Sequence, residues 1–439
     1  MKIISYTKLI ALLMAVVLIT ACQKNEFMPE PVGEAIAAPN LPLLASVLEG
    51  EYSLYKTAWE KAEMDRLLAT EQGQAKMTFF IPSNKAMEEA GFTSAKIGTS
   101  TKEVLQELLR YHVISTNVNL ERLKMAAADL ISPSLLKHPK FLEGMKLDGV
   151  LTKTVPYQYE HSITVKDGQL LDNGMAVKIN KEAAIGQGTA IFIDRVLKKP
   201  EKQMIDVLRE DGRFSLYLRA MEISSQGYED DMLMNWWASF EPPLSYLVDW
   251  NFHFAGSLHS NREFPRHVIR FTLFAPTNDA FKQLGIANEA DLFALYHRVP
   301  APYMFNTGEL TPVDSLLRYQ HTGKTYSSMI FNDDYTEFGL AAQRHKTINN
   351  VTFYGHMLDD KILANYPIAY GTSNGTDWIT AYVPYRFNRQ SNHQLTVKHN
   401  DSNSQPATVV EENINTIQGP IHVVDRIFVP KDFTMWHKK

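Results

Sequence analysis

Gly371-Thr372-Ser373-Asn374-Gly375 spells G-x-S-x-G, the spacing with which a hydrolase sets a nucleophilic serine on a strand-to-helix elbow. An elbow needs a helix after the serine, but here NYPIAY (Asn365 to Tyr370) and WITAYVPY (Trp378 to Tyr385) both read as strands. Gly, Ser and Asn between two strands make a hairpin loop. Gly323-Lys324-Thr325 has the ending of a phosphate loop, yet Arg318 stands where that loop needs its first glycine. His253 and His259 are six positions apart and no H-E-x-x-H occurs, so no zinc pattern is present. The acidic pairs Asp230-Asp231, Asp333-Asp334 and Asp359-Asp360 lack the alternating spacing of a calcium loop and read as solvated faces. No catalytic residue, metal or cofactor is expected. A carboxylate-dependent glycoside hydrolase stays open as an alternative only because its two acids can come from anywhere in a fold.

Binding chemistry has a firmer candidate. The stretch from Ser225 to His267 holds Trp236, Trp237 and Trp250, three of the six tryptophans in the chain, with Phe240, Tyr246, Phe252 and Phe254 around Pro242-Pro243. Indole faces offer flat platforms to a sugar or a partner protein, and the indole N–H donates a hydrogen bond. The alternative is that an insertion of this size uses its aromatics to dock on its own domain. A second aromatic group, Tyr366, Tyr370, Trp378, Tyr382 and Tyr385, lies on strand-like segments, where alternation turns some of the rings outward.

At the N-terminus, Lys2 and Lys8 precede the apolar run Leu9 to Ile19, the length of a secretory signal and short for a membrane span. It runs into Ile19-Thr20-Ala21-Cys22, which resembles a bacterial lipobox, in which the cysteine is acylated and becomes the first mature residue. Cys22 is the sole cysteine and so cannot form an internal disulfide. An ordinary secretory signal or an uncleaved anchor are the competing readings. Gln23 to Asn40 contains three prolines without helical or strand periodicity and reads as a tether, with a reach on the order of 20 to 25 Å. Gln23 is not the aspartate that retains lipoproteins in some inner membranes, so the outer membrane, at the cell surface or facing the periplasm, is the expected location. The 44 basic and 49 acidic residues are interspersed, and the net charge of −5 gives nucleic acid no basic face to bind.

The elements carrying these residues occur twice. KMTFFIPSNKAM (Lys76 to Met87) and RFTLFAPTNDAF (Arg270 to Phe281) share one pattern: a buried strand, a proline that ends it, a hydroxyl residue to cap a short helix, then Asn. Ser-Leu-Tyr follows Val-Leu ahead of each box, at Tyr55 and Tyr217; LLRYHVI (Leu108 to Ile114) and LLRYQHT (Leu316 to Thr322) follow it. AIFIDRVLKKP (Ala190 to Pro200) and PIHVVDRIFVP (Pro420 to Pro430) close the copies. The offset between copies grows from 162 at Tyr55/Tyr217 to 231 at Asp194/Asp425, too long for a solenoid repeat, so each copy is a domain. The pattern is α+β. We expect domains at 41–199 and 200–433 after the signal (1–22) and tether (23–40), with insertions in the second near 225–267, 287–312 and 322–409.

The box, the LLRYH segment and the closing HVVDRIFVP resemble the three signature blocks of the fasciclin-like domain. The resemblance implies two tandem fasciclin-like domains, each a wedge with a small β-sandwich and helices, in a non-enzymatic adhesion protein. It also implies an adhesive role for a Tyr-His pair, matched by Tyr111-His112; the second copy reads Tyr319-Gln320-His321, with an inserted Gln. The whole then reads as a lipid-anchored binding or adhesion protein whose partner is a surface protein or a polysaccharide. An accessory glycan-binding lipoprotein of a polysaccharide-uptake system is the alternative.

Overall fold

The computed structural model describes residues 41–73, 75–143, 156–224, 266–268, 270–298, 312–317, 319–322, 347–348, 351–373, 377–391, 393–431 and 433. Contacts gather Pro42–Lys439 into one compact unit. Among the described residues, no helix is long and apolar enough to cross a membrane.

The fold is α+β. In the first copy the strands are β1 (Met77–Pro82), β2 (Val113–Ile114), β3 (Leu130–Glu143), β4 (Pro156–Lys166), β5 (Gln169–Asp172), β6 (Met175–Val177), β7 (Ile179–Ile185) and β8 (Gly188–Ile193). They lie side by side in the order β6-β5-β4-β3-β2-β1-β8-β7, and β9 (Arg266–Val268), which precedes the second box, adds to β3 in parallel. The second copy contributes β10 (Leu273–Pro276), the short β11 (Thr347–Ile348), the hairpin β12 (Pro367–Ser373) and β13 (Asp377–Tyr382), then β14 (Tyr385–Arg389), β15 (Leu395–His399), β16 (Ala407–Thr416) and β17 (Gly419–Val424). Its main sheet runs β10-β17-β16-β15-β14.

Register confirms the repeat residue by residue. β1 pairs β8 in parallel with Phe79 opposite Ala190; β10 pairs β17 in parallel with Leu273 opposite Ile421. Both box strands, β1 and β10, are buried throughout. The prolines end them, Ser83 Oγ caps Asn84–Glu89 by accepting from Ala86 N at 3.2 Å, and Thr277 Oγ1 caps Asn278–Gln283 through Ala280 N at 3.3 Å. Gly91 (φ +85°) and Gly285 (φ +89°) follow these helices in the left-handed conformation.

The box asparagine, whose role composition does not reveal, ties the corner to the helix ahead of it. Asn84 accepts from Leu54 N at 2.9 Å and donates to Gly50 O and Ser53 Oγ, both at 3.0 Å. Asn278 repeats all three bonds with Leu216 N, Gly212 O and Ser215 Oγ at 2.9, 2.8 and 3.0 Å. The box threonine is equally fixed: Thr78 Oγ1 accepts from Val118 N at 2.9 Å and Thr272 Oγ1 from Phe353 N at 2.7 Å.

Among the described residues, three apolar cores result. One packs Tyr55, Trp59, Phe79 and Phe192 of the first copy; a second gathers Phe80, Tyr111 and Tyr157 with Ile417 of the second copy; the third fills the second copy around Tyr217, Phe274, Phe281 and Phe428. On the first copy's LLRYH helix Leu105 and Leu109 are buried, whereas Val104 is 46% exposed. Ser373 lies opposite Asp377 in the β12–β13 hairpin, the geometry that its strand-like flanks imply.

Candidate functional site: the Tyr-His pair and the junction between copies

Thr101 caps the helix Lys102–Tyr111, and the chain turns at His112 into β2. Apolar residues at helical spacing put one side of this helix into the core, and the last turn carries Tyr111 and His112 in with it. Both are buried, at 2% and 0% exposure. His112 Nδ1 lies 2.8 Å from Leu108 O and must carry the proton there, because a carbonyl only accepts; Nε2 accepts from Leu197 N at 2.9 Å. The neutral ring therefore satisfies both neighbours, and burial drives its pKa down to about 4. Tyr111 Oη donates to Lys198 O at 3.4 Å and accepts from Asn173 Nδ2 at 3.3 Å, and burial raises its hydroxyl well above the ordinary tyrosine range. Neither side chain of the pair presents a surface to a partner, so an adhesive role for it must be exerted through the groups it holds.

In the second copy Gln320 occupies the place of His112 and is no insertion. Phe80 N donates to His112 O at 2.8 Å and Phe274 N to Gln320 O at 2.7 Å, while Leu273 bridges His321 as Phe79 pairs Val113. The amide does the imidazole's work: Gln320 Nε2 donates to Leu316 O at 2.8 Å and to Phe428 O at 3.3 Å, the counterparts of Leu108 and Leu197. Only the polarity at the closing segment differs, N–H in the first copy and C=O in the second.

Behind the pair, β4 and the β5–β6 turn carry a buried polar cluster. His161 places Nε2 2.8 Å from Tyr111 O and Nδ1 2.7 Å from Asp172 Oδ1. Ser162 N donates to Asn173 Oδ1 at 2.9 Å, and Ser162 Oγ donates to Asp129 Oδ2 at 2.5 Å. From the second copy, His356 Nε2 reaches Asp129 at 2.8 and 2.9 Å. Near this pair Arg270 donates to Gln158 O at 2.7 Å, pairs with Glu160 at 3.2 Å and lies over the Tyr157 ring, 4.6 Å from its centre. Tyr157 Oη donates across the junction to Ile417 O at 2.7 Å, and Asn413 Nδ2 to Gly174 O at 3.4 Å. A cleft between the copies is lined by Tyr157, Glu160, Asn173, Arg270, Tyr354 and Asn415 among others. Its aromatic walls are closed, Tyr157 and Tyr354 being 3% and 5% exposed, so a ligand entering it would meet polar edges and no stacking face.

The remaining candidates fall differently. Cys22, Trp236, Trp237, Trp250, His253, His259 and the Asp230-Asp231 and Asp333-Asp334 pairs lie outside the described residues. Asp359 caps Lys361 N at 2.8 Å and Asp360 accepts from Phe387 N at 2.7 Å, so this acidic pair organises a turn. In the second aromatic group Tyr385 is buried and Tyr382 is 50% exposed. Sequence reasoning did not single out Asp129, His161, Asp172 or His356, isolated polar residues whose meaning comes only from distant partners.

The fasciclin domain model matches residues 50–199. The chain is also similar to a solved fasciclin domain pair from the insect cell adhesion molecule Fasciclin I, at 14% identity over 87% of this chain and 98% of that one, with a TM-score of 0.26.

Proposed function

We propose, on the match of residues 50–199 to the fasciclin domain model, that the protein is a binding and adhesion lipoprotein, anchored through Cys22 and held off an outer membrane by the tether 23–40. The observation that carries the reading is the duplication itself, two copies of one adhesion-type fold in matched register ahead of which stands a lipobox-like cysteine. One or two added acyl chains decide between reversible and durable attachment, at roughly 0.8 kcal/mol per buried methylene. The partner is a surface protein or a polysaccharide. What favours the glycan is the composition of the second copy's insertion, with Trp236, Trp237 and Trp250.

Binding of the chain from Gln23 to Lys439 to a polysaccharide panel, with the Trp236→Ala, Trp237→Ala, Trp250→Ala variant alongside, separates the two partners. Saturable binding to one glycan class that the variant loses supports polysaccharide capture. Silence across the panel by a folded protein, with specific capture of one outer-membrane protein from native membranes, supports a protein partner. Release of reducing sugar from any panel member would contradict the non-catalytic reading.

A further inference from the structure

We propose that the buried Tyr111-His112 pair positions the junction between the two copies. The pair grips the start of the connection that leads from the first copy into the second: His112 Nε2 takes Leu197 N and Tyr111 Oη takes Lys198 O. A few residues on, that connection is pinned to the second copy, where Ile417 N donates to Lys202 O at 2.9 Å and Met204 N to Gln418 Oε1 at 3.0 Å. The first copy receives its own entering chain in the same way, Gly186 N on Pro42 O at 2.9 Å and Leu44 N on Gln187 Oε1 at 3.1 Å. What the second copy adds is that this entry point lies against a neighbour.

A side-chain route runs parallel to the backbone one. From Tyr111, hydrogen bonds pass through Asn173 to Ser162, from Ser162 to Asp129, and from Asp129 across the junction to His356; Gly174, next to Asn173, accepts from Asn413 of the second copy. Tyr111, Asn173 and Ser162 are buried, where such bonds hold geometry tightly, and the crossing residues Asp129, His356 and Asn413 are half-buried. A substitution in the Tyr-His pair then changes how the two copies are presented without touching any partner. The second copy uses Gln320 for the same grip on Phe428, in the segment that follows its closing strand.

Hydrogen exchange of the full chain by mass spectrometry tests this with Tyr111→Phe, His356→Gln and the double variant. The proposal predicts that Tyr111→Phe speeds exchange in 351–357 and 413–418 of the second copy roughly twofold to thirtyfold, the span of measured couplings, while 273–276 and 77–82 keep their rates. His356→Gln should by reciprocity speed exchange at 196–199 and 108–114. The double variant should be no faster than the faster single one. Acceleration confined to 108–114 and 196–199 in Tyr111→Phe would overturn the proposal, as would equal acceleration in 77–82 and 188–193, which would make the pair a stabiliser of the first copy alone. Multiplying rates in the double variant would also overturn it.

Discussion

His112 and Gln320 show what one position demands when its two neighbours are fixed. The first copy offers it one carbonyl and one N–H, which a neutral imidazole or a primary amide can satisfy; the second offers two carbonyls. His112→Gln should therefore cost less than about 1 kcal/mol, whereas His112→Ala leaves a buried N–H and a cavity and should cost about 2–4 kcal/mol. Urea unfolding of both variants measures the difference, and equal losses would mean that ring packing, not hydrogen bonding, sets the requirement. The Tyr-His dipeptide itself was legible in the sequence. Its burial was not, because a helix's last turn faces inward or outward according to what packs over it, here a closing segment 85 positions away.

At the scale of elements the strand-to-helix corner was readable because each of its signals is local: an apolar run, a proline, a capping hydroxyl, a glycine stop. The asparagine was visible as a repeated letter, but its three bonds reach back across 30 to 34 positions in the first copy and 62 to 66 in the second. Asn84→Ala and Asn278→Ala should each cost about 1–3 kcal/mol, since each leaves a half-buried backbone N–H, that of Leu54 or Leu216, without its partner. A loss under 0.5 kcal/mol in either would show that water replaces the bonds. Gly188 and Gly419 open the closing strands at φ +136° and +134°, where a Cβ would come within 1.9 Å of Met77 O and 2.3 Å of Phe271 O. Alanine at either site has to push the closing strand away from the backbone at the start of its box, and we expect a loss of about 3 kcal/mol or more, read as a fall in the unfolding midpoint. An unchanged midpoint would place the strain elsewhere.

Across the whole molecule, His112, His321 and His422 are buried and each is driven down to about 4 by desolvation, from an ordinary value of 6.5. Between those values the unfolded chain binds protons that the folded chain refuses, so stability is complete above pH 6.5 and falls as the pH drops toward 4. Each ring contributes a slope of up to about 1.4 kcal/mol per pH unit. His112→Gln should lower the combined slope by about a third, and an unchanged acid limb would show that other groups govern it. The junction was the least legible feature of all: Asp129 and His356 are 227 positions apart and lie in different copies, with no shared motif to connect them. The reading of the whole as a duplicated binding fold held at a membrane stands or falls first at Cys22. Labelled palmitate fed to cells producing the full chain or its Cys22→Ser variant, followed by membrane fractionation, tests it most directly. We predict label and protein together in the membrane fraction for the native chain, and neither there for the variant; an unlabelled native chain, or a variant that stays with the membrane, would contradict the account.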